Sequence, residues 1–271
     1  RLGRLHVVAA ARWVLKGLSI SPRHAPDYTR GGIVRVASHS WRGPVREIHV
    51  ENCEVFSAAD ISRWSAHEWN ELSCNGIEVD GNAIIIRGNR ITNVNFGIGI
   101  RGDSSLIEGN TIENFAGDGL RGLGNDLVFQ YNTVKNCYDV NGNHDDGFQS
   151  WSRGDDGAVG RGTVYRITLR GNTIVNYEDP AQPLRGTLQG IGCFDGMFEG
   201  WIVENNLIIT DHWHGISLYG AQNCRVVNNT VCDPNRTKPG PPWIKIRAHK
   251  NGTPASGCVV RNNLTGALRV D

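Results

Sequence analysis

The sequence has one methionine, no Cys-x-x-Cys pair and almost no excess of either charge. Helix interiors favour unbranched side chains such as Met and avoid Gly, so one Met beside 34 glycines and ten prolines argues against a helical protein. A formal net charge of +1 gives no attraction to nucleic acid or anionic membranes. No apolar run reaches the length of a membrane span. We therefore expect neither nucleic acid nor a membrane as partner.

The seven cysteines lack the spacing of a zinc site, so we expect no structural metal centre of that kind. Several of them stand beside Asn or Gly at recurrent positions, which favours small buried side chains over reactive thiols. The cysteines leave the redox compartment open. The first residues do not resemble a signal peptide, and we expect a secreted or periplasmic protein.

A short motif, apolar-x-x-Asn-x-apolar, recurs along the chain with a base period of 21 to 23 residues and longer intervals at insertions. We place eight asparagines in it: Asn52, Asn89, Asn110, Asn132, Asn172, Asn206, Asn229 and Asn263. A coil of that length cannot bury its apolar residues alone, but stacked coils form a continuous core. The repeat predicts an all-β fold, a right-handed single-stranded parallel β-helix with loop insertions. The asparagines would form a ladder at one bend, where their tolerance of left-handed backbone also fits.

Residues 1–271 are expected to form one β-helix domain, a monomer rather than an oligomer. Three inserted segments rich in Gly and Pro, residues 154–162, 178–188 and 234–242, should leave the coil as loops and rise as walls beside a groove. Residues 58–68 are the one place where a short helical turn fits.

A second motif, Gly-Ile-x-x or a close variant, marks another strand of most coils and aligns side chains in columns. The column before the glycine contains Asn75, Phe96, Asp118, Asp146, Gln189 and His214. The column two residues after it contains Glu78, Gly99, Arg121, Gln149, Gly192, Ser217 and Lys245. A further column contains Arg101, Trp151, Phe194, Tyr219 and Arg247. Polar and aromatic residues concentrated in the middle coils predict a groove there.

The segment N-G-N-H-D-D-G-F-Q-S-W, residues 141–151, is the strongest local signal. Adjacent Asp145 and Asp146 beside His144 can supply a general acid and base. A Ca²⁺ site and a plain polar turn are the alternatives, because clustered carboxylates bind hard cations. We expect no required cofactor and leave Ca²⁺ binding open.

Two later coils continue this face. His214 occupies the column of Asp146, and Lys245 and Arg247 follow one coil later. Alternate residues of a strand point the same way, so both cations can reach one anion above the groove. A solvated strand edge is the alternative interpretation of this pair.

These motifs resemble those of the pectate-lyase-like β-helix superfamily, and in part the polygalacturonase-type glycoside hydrolases, family twenty-eight. Asp118 stands where that family has Asn-Thr-Asp, and Asp145-Asp146 resembles its Asp-Asp motif. His214-Gly215 resembles its Gly-His-Gly motif, and Lys245-Ile246-Arg247 is its Arg-Ile-Lys with the basic residues exchanged. Asn-Thr is missing before Asp118, an extra coil intervenes, and Lys and Arg are not equivalent at a bidentate site.

The resemblance implies hydrolysis of a glycosidic bond in an extended, acidic polysaccharide. Asp146 would be the general acid, Asp118 and Asp145 would activate water, and His214 would tune the acid. The substrate-binding candidates are His144, Arg121, Gln149, Trp151, Tyr219, Lys245 and Arg247. We therefore expect Asp118, Asp146, His214 and Lys245 to line one cleft.

Two other classes of function remain open. A polysaccharide lyase or uronate epimerase would abstract the proton next to a carboxylate, with Arg121, His214, Lys245 or Arg247 as base or neutralising cation. A non-catalytic glycan-binding stalk, such as a phage tail-type β-helix, would need no cluster of ionisable groups, and the cluster between Asp118 and Arg247 argues against it.

Overall fold

A computed structural model describes all of residues 1–271 and shows a parallel β-helix. Three long parallel sheets run the length of the molecule, and each coil contributes one strand to each sheet. We call the sheet that carries the Gly-Ile motif the first sheet. Its ten strands are Leu5–Val8, Gly32–Ala37, Asn75–Asp80, Ile98–Arg101, Leu120–Gly122, Asp146–Trp151, Gln189–Asp195, His214–Tyr219, Trp243–Arg247 and Ala267–Val270.

The second and third sheets have nine strands each. The second sheet contains Ala11–Lys16, Arg46–Glu51, Ile85–Arg87, Leu106–Glu108, Val128–Gln130, Thr168–Arg170, Ile202–Glu204, Arg225–Val227 and Val259–Arg261. The third contains Ser19–Ile20, Glu54–Phe56, Arg90–Val94, Thr111–Phe115, Thr133–Cys137, Thr173–Val175, Leu207–Ile209, Thr230–Cys232 and Leu264–Thr265. A short fourth sheet contains Thr163–Tyr165, Met197–Glu199 and Ala221–Gln222.

Inward-facing side chains of the three sheets form one core of 46 buried residues that runs through the coils. Most of them are Ile, Val and Leu, whose branched side chains suit a pleated surface buried on one face. Four of its five aromatic residues, Phe129, Phe148, Phe198 and Trp201, contact one another in the middle coils of this core. The alternation of buried and outward residues fixes the register, because a slip of one residue would turn every apolar side chain outward.

The asparagine ladder occupies the bend between the second and third sheets. Each side-chain amide donates to the side-chain oxygen of the next coil at 2.9 to 3.0 Å. The ladder contains Asn89, Asn110, Asn132, Asn172, Asn206, Asn229 and Asn263. The predicted β-helix and its ladder are confirmed.

Two details of the predicted ladder are wrong. Cys53, not Asn52, occupies the ladder position of its coil, because its backbone N–H donates to Asn89 Oδ1 at 2.9 Å. Ladder residues also have ordinary φ angles, whereas the residue before each one is left-handed. Those preceding residues are Asn52, Gly88, Gly109, Tyr131, Gly171, Asn205, Asn228 and Asn262. Asparagine therefore suits the ladder positions because its amide forms hydrogen bonds between coils, and not because it tolerates a positive φ.

Helical structure is confined to a 3₁₀ turn at Pro22–His24 and one α-helix at Ala66–Leu72. The predicted turn at residues 58–68 only overlaps the start of the α-helix. A capping box between Ser65 and Glu68 sets that start. The Ser65 side chain accepts from the backbone N–H of Glu68, and the Glu68 side chain accepts from the backbone N–H of Ser65. Trp69 is fully buried and packs its ring 4.7 Å from that of Tyr138. The helix thereby covers the bend that leads into strand Asp146–Trp151.

Candidate active site on the first sheet

The outer face of the first sheet carries the predicted columns. Residues two positions after the motif glycines pair in register from coil to coil: Glu78, Gly99, Arg121, Gln149, Gly192, Ser217 and Lys245. Adjacent strands lie roughly 4.8 Å apart, so neighbours in this column are within contact distance. This column, inferred from the repeat alone, is confirmed.

An open cleft of about 460 Å³ lies over the middle coils of this face. It is lined by His144, Gln149, Phe194, Asp195, His214, Tyr219 and Lys250. The ring of Phe194 is central, with centroid distances of 5.8 Å to His144, 4.8 Å to His214 and 5.2 Å to Tyr219. Four predicted site residues, His144, Gln149, His214 and Tyr219, are thus brought together.

Asp146 lies beneath this cleft and supports His144 from below. Its carboxylate is fully buried, and Oδ2 lies 3.0 Å from His144 Nδ1. The amide of Gln149 donates to the same oxygen at 2.9 Å. Room for the carboxylate comes from Gly192, where a Cβ would lie only 2.0 Å from Asp146 Oδ1. Asp146 therefore faces outward, as its column required, but side chains of the cleft cover it.

The contacts of His144 favour one neutral tautomer. Its Nδ1 faces Asp146 Oδ2, and its Nε2 contacts the side-chain amide of Gln189. With Asp146 ionised, Nδ1 carries the proton directed at the carboxylate, and Nε2 of the neutral imidazole is the nitrogen that can accept a proton. Asp146 Oδ1 and Gln189 Oε1 are buried without a hydrogen-bond partner.

The two groups of this dyad shift each other's pKa. The hydrogen bond to Asp146 raises the pKa of His144, against the opposing effect of burial. Burial raises the pKa of Asp146 to about 8, and the charge of Asp118 adds to this, while the hydrogen bond from His144 opposes it. The two groups titrate as a pair that shares one proton: while Asp146 is ionised, His144 is a stronger base than an ordinary histidine and its imidazole is oriented by the carboxylate.

His214, on the other side of Phe194, has the opposite character. Burial lowers the pKa of His214 to about 4, and the nearby His212, His144 and Lys245 add to the effect. Its Nδ1 accepts from the indole of Trp243 at 3.3 Å and lies 2.7 Å from Ser217 Oγ. The imidazole is therefore neutral with its proton on Nε2, a hydrogen-bond donor rather than a base.

Asp118 and Arg121 form a buried ion pair outside the cleft. Arg121 Nε donates to Asp118 Oδ2 at 2.8 Å, and its guanidinium lies between the rings of Phe96 and Trp151, at 4.5 and 4.9 Å. Burial raises the pKa of Asp118 to about 6, and Arg121 opposes that rise. None of Asp118, Arg121 and Trp151 lines the cleft, although all three were expected there.

Asp145 points away from the cleft, although it is adjacent to Asp146. It is 8% exposed and lies beside Cys137 of the third sheet. Burial raises the pKa of Asp145 to about 7, and the charges of Asp139 and Asp118 add to it. Of Asp118, Asp146, His214 and Lys245, which were expected to line one cleft, only His214 does so, and the expectation is wrong for the other three. The burial of Asp118 and Asp146 is tolerated because raised pKa values and polar partners reduce the cost of an isolated charge.

Lys245 and Arg247 lie at the C-terminal end of the face, one coil beyond the cleft. Lys245 Nζ and Arg247 Nε both approach Asp271 Oδ2, at 3.9 and 3.7 Å. Arg247 also stacks over Tyr219 at 5.7 Å. The two cations do point the same way and share one carboxylate, as alternation on a strand requires, but Lys245 does not line the cleft itself.

The three inserted segments contain no strand of the sheets, so the prediction of loops is confirmed. Their predicted place as walls is wrong, since none of them supplies a residue of the cleft. The sequence indicated neither Asp195 nor Lys250 as a cleft residue. Lys250, in the loop of residues 248–257, donates to Asp195 at 2.6 Å. It has no place in the repeat and gave no signal. Phe194 was predicted to share the column of Trp151 and Tyr219, but a register irregularity pairs Trp151 with Asp195 instead.

The structure contains no group of three or more His, Cys, Asp or Glu side chains arranged to hold a metal ion. Instead, an oxygen of Asp118 accepts from Arg121, and an oxygen of Asp146 lies against His144 Nδ1. No helix is long and apolar enough to cross a membrane.

The family of the chain is shown by a match to the model described as "Right handed beta helix region", over residues 31–149 and 75–267. These matches together cover most of the chain, which therefore belongs to this family of right-handed β-helices. No curated protein sequence matches it significantly.

Several solved structures are similar in fold. The Dettilon tailspike protein matches with a TM-score of 0.46 and 16% identity, over 92% of this chain and 55% of the tailspike chain. An alginate lyase from Paenibacillus sp. matches with a TM-score of 0.45 and 12% identity, over 96% of this chain and 99% of the lyase. The pectate lyase Pel9A matches with a TM-score of 0.44 and 16% identity, over 96% of this chain and 68% of the pectate lyase chain. The chain spans about half the length of the tailspike chain.

Proposed function

We propose that this protein is a polysaccharide-active enzyme that abstracts the proton next to the carboxylate of a uronate residue. The observation that carries the proposal is the pairing of two histidines across Phe194 in an open cleft. One is made basic by Asp146, and the other is held neutral as a hydrogen-bond donor. Environments that separate the pKa values of two groups give them different roles in one site.

His144 is the general base in this proposal. Substrate displaces the Gln189 amide from Nε2, and Nε2 takes the proton from C5 of the uronate. The electron pair of that C–H bond forms the C4–C5 double bond, and the bond from C4 to the glycosidic oxygen breaks. The departing oxygen takes a proton from the hydroxyl of Tyr219, which solvent later replaces. Asp146 stabilises the imidazolium that forms on His144, as a carboxylate does in other Asp–His pairs.

The carboxylate of the reacting uronate needs neutralisation as negative charge develops on it. The Nε2–H of His214, the amide of Gln149 and the ammonium of Lys250 are the donors in the cleft. Donors that already point at the developing charge stabilise it without reorganising. Lys245 and Arg247, which share the carboxylate of Asp271, are suited to bind the carboxylate of a neighbouring sugar.

Hydrolysis, the reaction that the motif resemblance implies, fits this geometry less well. A glycosidase needs two carboxyl groups that flank the scissile bond. Asp118 and Asp146 are 2% and 0% exposed and lie beneath Arg121 and His144, so neither faces the cleft. Elimination, or epimerisation if the proton returns to the other face, uses the groups that do face it.

A panel of polyuronates and neutral glycans tests the proposal, read for reducing ends and for the ultraviolet absorbance of the C4–C5 double bond. We expect both signals to rise together on a polyuronate, with and without a chelator, because the proposed reaction involves no cofactor. A signal that depends on added Ca²⁺ would instead support the cation-binding alternative. Reducing ends without absorbance would support hydrolysis. Neither signal on any polymer, together with no exchange of the C5 proton in deuterated water, would support a binding stalk.

The same proposal includes a monomer that acts outside the cytoplasm, secreted or periplasmic, where extended polysaccharides are found.

A further inference from the structure

A second pocket lies on the same sheet, on the N-terminal side of the cleft, and nothing described so far uses it. It has a volume of about 280 Å³ and is centred on Gly99. Its charged lining residues are Arg35, Glu78, Asp80, Arg101 and Arg121. Gly99 is the residue that leaves this space open, because a Cβ there would meet no atom within 4 Å.

The charges of this pocket cancel, and most of them are free to bind a ligand. Three arginines are balanced by Glu78 and Asp80 and by the buried Asp118 beneath Arg121. The one ion pair at the pocket is that of Arg121 with Asp118. Arg35, Asp80 and Arg101 are exposed, and they alternate in sign with half-buried Glu78 along the face.

The pocket and the cleft are neighbouring parts of one surface. Gly99 and Ser217 belong to the same column and are separated by four coil spacings, roughly 19 Å. Arg121, fixed between Phe96 and Trp151, forms the boundary between them. A chain bound along the solenoid axis in the cleft therefore extends into this pocket.

We propose that the Gly99 pocket is a further glycan subsite, which binds one sugar ring through its hydroxyl groups. This rests on the proposed function, because it extends the same substrate beyond the cleft. A sugar hydroxyl both donates and accepts, so adjacent hydroxyls match an alternation of carboxylate and guanidinium. A pocket without net charge has no preference for a carboxylate, in contrast to the cationic pair Lys245 and Arg247. The subsite thus contributes length selectivity and not charge selectivity.

Gly99→Leu tests the subsite, because leucine fills the open space without strain: Gly99 has no left-handed φ. Thr111→Leu is the matched control, since it adds the same side chain to an outward column of the third sheet that already contains Leu207. Both variants and wild type are applied to an array of short and long oligosaccharides, neutral and uronate-containing, at low and high salt.

We expect Gly99→Leu to bind the long oligosaccharides about tenfold more weakly than Thr111→Leu does, the loss of one or two hydrogen bonds to charged groups. Binding of short uronate oligosaccharides should be unchanged, and the difference should persist at high salt. Equal binding by the two variants, a loss that high salt abolishes, or no binding of any oligosaccharide by wild type would each overturn the subsite. Turnover is measured separately, so an inactive but length-selective protein would refute the proposed reaction and leave the subsite standing.

Discussion

His144 and His214 contact the same ring, that of Phe194, and yet their pKa values are shifted in opposite directions. The difference comes from what lies behind each imidazole. A buried carboxylate supports His144, whereas an indole N–H and a cluster of cationic or titratable neighbours surround His214. One cleft thereby contains a base and a neutral donor, which is the arrangement that proton abstraction requires.

Asp146→Asn should lower the pKa of His144, because the hydrogen bond to Asp146 is the main cause of its rise. As a base, His144 must be unprotonated, so kcat/KM of wild type should rise with pH through this raised pKa. In the variant the rise should move to lower pH, and the maximal rate should fall by about 10²-fold or more. Asp195→Asn, a change in the same cleft outside the dyad, is the control. An unshifted pH profile in Asp146→Asn would exclude the dyad as the base.

Lys245→Ala should chiefly weaken substrate binding. Lys245 lies one coil beyond the cleft and meets a carboxylate but none of the reacting groups. We expect KM for a polyuronate to rise about tenfold with kcat nearly unchanged, since one charge-assisted contact is lost. Kinetics at two salt concentrations show whether the charge of Lys245 is the cause, because the difference in KM between wild type and variant should shrink at high salt. A fall in kcat at constant KM would place Lys245 in the chemistry instead.

Asp145→Asn should change stability and leave turnover unchanged. The pKa of Asp145 is raised to about 7, so the folded state holds its proton more tightly than the unfolded state. The contribution of this group to the unfolding free energy is therefore largest at acid pH and falls as pH rises from about 4 to 7, by up to about 1.4 kcal/mol per pH unit. The variant should resemble wild type at acid pH and exceed it at mildly alkaline pH in denaturant titrations. A large loss of turnover would return Asp145 to the catalytic residues.

Asn132→Ala should destabilise the fold by about 3–5 kcal/mol. The Asn132 amide donates to Ile107 O and Asn172 Oδ1, and its oxygen accepts from Asn110, so several buried groups would lose partners. Asn52→Gly is the matched control, because Asn52 precedes the ladder position and has φ of 51°. Denaturant unfolding should separate the two variants clearly, and a neutral Asn132→Ala would contradict the ladder as a source of stability.

The sequence predicted the fold well because a solenoid repeats its physical constraints in every coil. Ladder and core positions recur at one phase, and a phase error such as that at Asn52 affects a single coil. The groups lining the cleft were predictable only in part. His144, Gln149, His214 and Tyr219 follow the register, but the burial of Asp118 and Asp146 depends on contacts with Arg121 and His144 that no column encodes.

Lys250 and Asp195 could not be predicted at all. Lys250 lies in a loop that has no counterpart in other coils, and its contact with Asp195 depends on how that loop folds back. Asp195 itself follows a register irregularity in its strand. Departures from the repeat are thus where sequence periodicity loses its information, and in this protein they supply part of the cleft.

The most direct test of the account is turnover of a polyuronate in deuterated water, followed by nuclear magnetic resonance of the products. The account predicts that wild type removes the C5 proton of the reacting residue, either as a C4–C5 double bond or by exchange for deuterium. His144→Gln should abolish this removal, while the variant keeps its fold and binds the polymer. Products that are cleaved but retain the C5 proton at every residue would contradict proton abstraction and return the assignment to hydrolysis.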